Sequence, residues 1–557
     1  MNPIRDAQWP ARSALVRGLL AASVVTLAAC GGGKGDASRV VIQVPTQAPL
    51  PAAPTKVAVN VIDAASNEPL SDVAFTVTGP NAANVVDENG ARITTATFAD
   101  GNFSADYKGT PTAGSPISVS ILASKTGYVS SSAALLADAE GAIAETIRLV
   151  QISQPPAGVA VKSDTSATSG GMTLSEKTVS STAATTGTGG GSITIPQSTQ
   201  ARRSDGTPAA GTLAIDAVFF DNQTEDSLDS FPGGFGVEVN TGTPGTGAVD
   251  EGAFVSGGFA AYEVTDDTGA PITKFDTPIT LQIEVPAGTI NPDTGNPVQA
   301  SEEFPIWSYD EATGRWEEHT LNGVIEKGRV VSTAANGNFV VEFKTDHLSY
   351  YNVDYFFGRS RTCTATIDLR NLNQAVLVRL TRSDGTGFYK RLEASPRDPI
   401  VRLARVARQV PIKIDVVTLN GDPITNGSRT EQDMCDGASI FNLDPPPPPP
   451  PTSVRVTLTE SCPDGSNRRP IQSTYSSIYQ PSPRYWTRGN TDANGQITYD
   501  DLSGGLTYVY VQNRRNYRDY YYERVQLTAG ETREITINRT LQCATVTGTG
   551  STGAGDN

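Results

Sequence analysis

Hydrophobic side chains recur at every second position along much of the chain. Val57, Val59 and Val61 share one side of an extended segment, and Phe75 and Val77 resume the rhythm after the turn residues Asn67-Glu68-Pro69. Ile117, Val119 and Ile121 follow, then Ile193 and Ile195, residues 213–219 and residues 279–285. A period of two puts alternate side chains on one face, so these segments predict half-buried strands. Asp205-Gly206, Asp267-Thr268-Gly269, Asp293-Thr294-Gly295 and Ala312-Thr313-Gly314 supply turns between them. Residues 304–317 predict a hairpin with Trp307 and Trp316 on paired strands, and residues 400–417 repeat the strand–turn–strand rhythm. After residue 29 no segment has the length and 3.6-residue period of a solid helix. The expected fold class is all-β, with tandem β-sandwich modules joined by linkers rich in Pro, Gly and Ser.

Composition shifts give the expected boundaries. Residues 1–29 read as a signal peptide and 30–55, Gly-rich and then Pro-rich, as a flexible tether. Residues 56–150 form a first sandwich. Residues 151–190 are low in complexity and read as a linker or as the first strands of the next domain. Residues 191–357 form a larger β unit, and 359–444 and 452–545 two further modules. The prolines at 445–451 form a polyproline spacer of roughly 22 Å at 3.1 Å each. Residues 546–557 read as a disordered tail.

Three resemblances refine this outline. Ala123-Ser124-Lys125-Thr126-Gly127-Tyr128 resembles the end of a carboxypeptidase regulatory-like domain, a transthyretin-like or Ig-like sandwich without catalysis of its own. Residues 304–317 resemble β-sandwich modules of cartilage intermediate-layer proteins, and the last module resembles regulatory-like or collagen-binding B-type repeats. Such B-type repeats often carry a Lys–Asn cross-link; the last lysine here is Lys413, so residues 452–557 cannot form one. Leu27-Ala28-Ala29-Cys30, after Arg5, Arg12, Arg17 and an uncharged apolar run, resembles the lipobox of bacterial lipoproteins. That resemblance implies lipidation of Cys30, cleavage just before it and a membrane anchor. Gly31 after the cysteine implies the outer membrane.

An exported chain meets an oxidising compartment, so Cys363, Cys435, Cys462 and Cys543 are expected to pair. The proline run divides them two and two, and Cys363–Cys435 with Cys462–Cys543 is the simplest of three connectivities. The net charge of −16 is uneven: residues 359–557 carry 24 basic and 20 acidic side chains, so the acidity lies in the N-terminal part. That part repels phosphate backbones, and no nucleic-acid partner is expected.

The chain has two histidines, His319 and His347. His347, beside Asp346 and Ser349, invites a triad reading. Adjacent strand residues point to opposite faces, so Asp346 is not expected to orient it, and a structural role is expected instead. His319, after Glu317 and Glu318, is expected to be solvated. Asp266-Asp267, Asp310-Glu311, Asp492 and Asp500-Asp501 could offer oxygens to calcium, although aspartates in β-turns usually serve the turn. No other cofactor is implied. The last module holds 10 of the 18 tyrosines. There Arg514, Arg515, Arg518 and Arg524 interleave with Tyr517, Tyr520, Tyr521 and Tyr522, the residue types enriched at recognition surfaces. Stacking across a sheet is the alternative, and Arg402, Arg405 and Arg408 form a similar, weaker set. The sequence thus favours a non-enzymatic, membrane-anchored envelope protein that binds or scaffolds an unidentified envelope protein or glycan. A glycan-binding adhesion module is the second reading and a hydrolase the third.

Overall fold

The computed structural model describes residues 55–540, apart from 88–89, 99–100, 113–114, 138–140, 183–188, 242–247, 312, 383–388, 395, 397–398, 420, 448–451, 473, 482–483, 503 and 513–519. The architecture is all-β; the one α-helix among the described residues is the four-residue Glu225–Leu228. No described helix is long and apolar enough to cross a membrane.

The first module stacks a five-stranded sheet on a four-stranded one. Its opening strand, Thr55–Asp63, lies between Asn102–Tyr107, antiparallel, and Gly141–Gln151, parallel. Val57, Val59 and Val61 point into a core with Phe75, Phe98 and Phe103, whose rings sit 5.5 Å apart. The alternation explains only half of this strand's burial. Its other face, Lys56, Ala58, Asn60 and Ile62, is buried as well.

The second module, residues 159–358, packs two seven-stranded sheets. Val159–Ser166 and Lys177–Thr182 are strands of these sheets. The 18-residue strand Ala248–Thr265 pairs with Gly236–Thr241, which runs beside Arg315–Glu318; that strand pairs with Trp307–Asp310, then Tyr350–Gly358, and so back to Ala248–Thr265. Five strands thus close a ring, which removes open edges there. Phe231, Phe254, Trp307 and Trp316 fill it; the Phe231 and Trp316 rings stack at 5.0 Å.

The third module sets Ile400–Ala407, Thr362–Arg370 and Ala438–Asn442 over a four-stranded sheet. The Cys363–Cys435 disulfide links its first strand to the segment before its last. Its core residues Ile367, Leu380 and Val406 belong to one continuous cluster with those of the second module. The fourth module has its own core of Val454, Val456, Ile478, Val509 and Val525. In the first, third and fourth modules the opening strand lies parallel beside the closing one.

Candidate recognition face

In the fourth module Tyr520–Leu527 pairs with Gly505–Gln512, with Arg524 opposite Tyr508, Tyr522 opposite Tyr510 and Tyr521 opposite Val511. Alternation turns Val509, Val511, Val525 and Tyr521 toward the sandwich core. It puts Tyr508, Tyr510, Tyr522 and Arg524 on the other face, where Tyr479 joins from Tyr475–Pro481. Ring centroids are 6.1 Å apart for Tyr479 and Tyr508, 5.9 Å for Tyr508 and Tyr522, and 5.1 Å for Tyr510 and Tyr522. The Arg524 guanidinium lies 5.9 Å from the Tyr508 ring. Of the residues the sequence suggested, Tyr522 and Arg524 lie on this ladder, while Tyr521 packs against the sandwich core.

The ladder is covered. Tyr479, Tyr508 and Tyr510 are buried around Ile62 of the first module. The Tyr479 hydroxyl donates to the Asn67 carbonyl and the Tyr508 hydroxyl to the Glu68 carboxylate. Burial first, and then Glu68, push the Tyr508 phenol well above its usual range. This contact explains the burial of Ile62 on the second face of Thr55–Asp63. The last module therefore docks on the first one, across the polyproline spacer expected between residues 445 and 451. Tyr522, 45% exposed, and Arg524 remain open. Tyr521 is half-buried, bonds Glu523, and is pushed up to about 12 by burial and that carboxylate. Arg514, Arg515, Tyr517 and Arg518 lie outside the described residues; Tyr520 is on the strand, and its side chain is not described.

The histidines come together, which their separation in sequence gave no sign of. The rings of His319 and His347 are 5.5 Å apart, against Phe343 and Tyr351. His319 is not solvated, as expected, but fully buried, because its backbone is pinned between Ile306 and Glu326 and its Nε2 meets the Lys344 carbonyl at 2.9 Å. Burial pushes its pKa down to about 4. Asp346 does reach His347, Oδ1 to Nδ1 at 3.2 Å. Strand alternation fails there because the Thr345 hydroxyl bonds the His347 backbone and turns the strand end. Ser349 donates to the Tyr309 carbonyl instead of to a histidine. These contacts pack the strand end; the Thr345 hydroxyl lies 3.3 Å from His347 Nδ1, but it is fully buried and shared with the Tyr351 hydroxyl and the His347 backbone.

Acidic turns expected as calcium candidates are used locally. Asp266 is buried, which alone would raise its pKa, but Thr268, the Ala210 N–H and Arg203 hold it well below the usual carboxylate range. Asp492 accepts from the Asn494 and Gln496 N–H groups at 2.8 Å. Among the described residues no group of three or more His, Cys, Asp or Glu is placed to hold a metal. Glu263 and the backbone of Glu311 serve the joint between the first and second modules. Burial pushes Glu263 up to about 7, and it accepts from the Ser130 N–H at 2.8 Å, while the Thr78 hydroxyl donates to the Glu311 carbonyl at 3.2 Å. Of the second arginine set, Arg405 reaches Glu238 at 3.4 Å and Glu251 at 3.7 Å, tying the third module to the second. Cys462 is disulfide-bonded. Its expected partner Cys543, like Cys30, lies outside the described residues.

No family model and no curated protein matches the chain. Among solved structures, a minor pilin of Streptococcus agalactiae matches at 12% identity and a TM-score of 0.15, over 33% of this chain and 99% of its own. The major pilin subunit of Bacillus cereus matches at 9% and 0.13, over 87% of this chain and 99% of its own. A pilus protein of Streptococcus pneumoniae matches at 9% and 0.13, over 88% and 99%. Likenesses at these TM-scores carry no argument about function.

Proposed function

We propose that the mature chain is a lipid-anchored protein of the bacterial outer membrane, held by Cys30, that acts without catalysis as a binding or scaffolding body. The observation that carries this reading is the use of its side chains. The two histidines, the acidic turns and most of the tyrosine ladder are consumed in joining strands and modules, leaving a built framework with small open patches such as Tyr522 and Arg524. Two or more acyl chains on one cysteine would hold such a body firmly to a membrane. A glycan-binding reading would rest on the open Tyr522 and Arg524, since Tyr479, Tyr508 and Tyr510 pack against the first module.

The test is fractionation of cells expressing the wild type and Cys30→Ser, with mass analysis of the mature N-terminus. The expected result is an acylated Cys30 in the membrane fraction for the wild type and release of the variant. An unmodified wild-type N-terminus, or a variant that stays membrane-bound, overturns the anchor. Turnover of an ester, peptide or glycoside that disappears in His347→Ala overturns the non-catalytic part.

A further inference from the structure

The aromatic interior of the second module encloses a small group of polar side chains. Asn352 and Asp354, both fully buried, are two residues apart on Tyr350–Gly358 and so share a face. Ser256, also fully buried, stands opposite Asp354 on Ala248–Thr265. On the far side of Ser256, the Asn222 amide donates to the Ser256 carbonyl at 3.1 Å.

The ladder is deformed to make this meeting possible. Its register slips between Ser256 and Phe259, with Gly258 at a φ of +138°, and a Cβ at Gly257 would lie 2.6 Å from the Val353 carbonyl. The slip keeps Ser256 and Phe259 on one face. Phe259, stacked at 4.4 Å on Phe220, therefore walls the group on one side, and Trp307, whose indole N–H donates to the Asp354 carbonyl at 3.0 Å, on another.

Asn222 Oδ1, the Asn352 amide and both Asp354 oxygens make no well-formed hydrogen bond. Burial pushes Asp354 up to about 8, against which Ser256 and the Gly257 N–H favour the ionised form, and no basic side chain is among the groups acting on it. Orphaned buried oxygens are costly, and a buried carboxylate without a counter-charge more so. Carboxylate and amide oxygens are hard ligands, suited to alkali and alkaline-earth ions rather than to softer transition metals. A single carboxylate neutralises one positive charge; a divalent ion would leave a second charge buried.

We propose that Asp354, Asn352 and Asn222 bind one monovalent hard cation of the sodium class inside the second module, tying the strand Tyr350–Gly358 to the segment that follows Leu213–Phe220. Heat unfolding of the full-length protein in sodium chloride and in N-methylglucamine chloride, at matched ionic strength and one fixed pH, tests it. Sodium is expected to raise the melting temperature of the second module by about 3 °C. Asp354→Asn, nearly isosteric and neutral, is expected to fold and to erase the difference. Tryptophan emission, to which Trp307 contributes, is expected to titrate with sodium in the wild type alone. Equal melting in the two salts, an undiminished sodium response in Asp354→Asn, or a larger response to calcium than to sodium overturns the assignment. If Asp354→Asn fails to fold, the wild-type salt comparison and emission titration decide.

Discussion

The third and fourth modules share one wiring and each carries a disulfide-bonded cysteine on or just after its first strand, yet they join the rest of the chain in opposite ways. The third has surrendered its independence: Ile367, Leu380 and Val406 continue the second module's core, and Arg405 closes the rim on Glu238 and Glu251. The fourth keeps a separate core and meets the first module through Tyr479, Tyr508 and Tyr510. A continuous aliphatic core cannot be opened without exposing surface that water penalises. Tyrosines, with an apolar body and a polar tip, tolerate both the docked and the open state. The difference separates a permanent junction from a detachable one.

The largest effect that can break this comparison is in the merged core. Leu380→Ala should cost about 2–5 kcal/mol, and denaturant curves should show the second and third modules weakening together while the fourth is unmoved. Separate loss of the third module alone would dissolve the idea of a shared core. Replacing Cys363 and Cys435 with serine should cost about 2–4 kcal/mol, read in the same joint transition.

Acid offers a milder probe. His319 titrates near 4 in the fold against 6.5 when unfolded, so the unfolded chain takes up its proton first. The His319 contribution to stability should be lost as pH drops from 6.5 toward 4, by about 3 kcal/mol at most, while Glu263, raised to about 7, opposes it over part of that range. His319→Phe should remove that loss in the second and third modules and leave the fourth unchanged. The smallest expected effect is at the detachable junction. Ile62→Asp should loosen docking by about 2 kcal/mol, seen as faster hydrogen exchange in residues 55–63 with the fourth module's own core still protected. Tyr522→Ala, at the open end of the ladder, should change docking by less than about 0.5 kcal/mol.

The strands were legible in the sequence wherever one face is apolar and the other wet, as at Val57, Val59 and Val61. The second covering of that strand was not, because Lys56 and Asn60 give its outer face a solvent-like signature although both are buried. The tyrosine concentration was legible as an interface, but composition says nothing about whether the partner is another molecule or residues more than 400 positions earlier in the same chain, as with Tyr479 and Asn67. The histidine pair was hidden for a similar reason: tertiary pairing of Lys274 with His347 and local bonding of Thr345 decide where those rings point. The polar group at Asp354 was hidden because a strand reading Asn-Val-Asp-Tyr resembles an exposed edge.

The parallel pairing of first and last strands has a mechanical consequence. In the first module the register runs from Thr55 opposite Gly141 to Asp63 opposite Leu149, and in the fourth from Ser453 opposite Thr532 to Ser461 opposite Thr540. The chain therefore enters each of these modules at one pole and leaves at the other. Tension between the two ends slides the paired strands along each other and loads every rung of the ladder at once. It cannot peel the rungs off singly, as it would in a hairpin pulled open from its free ends. Under a pull along the chain these modules should yield late and abruptly, their lifetime set by the barrier to that first shear.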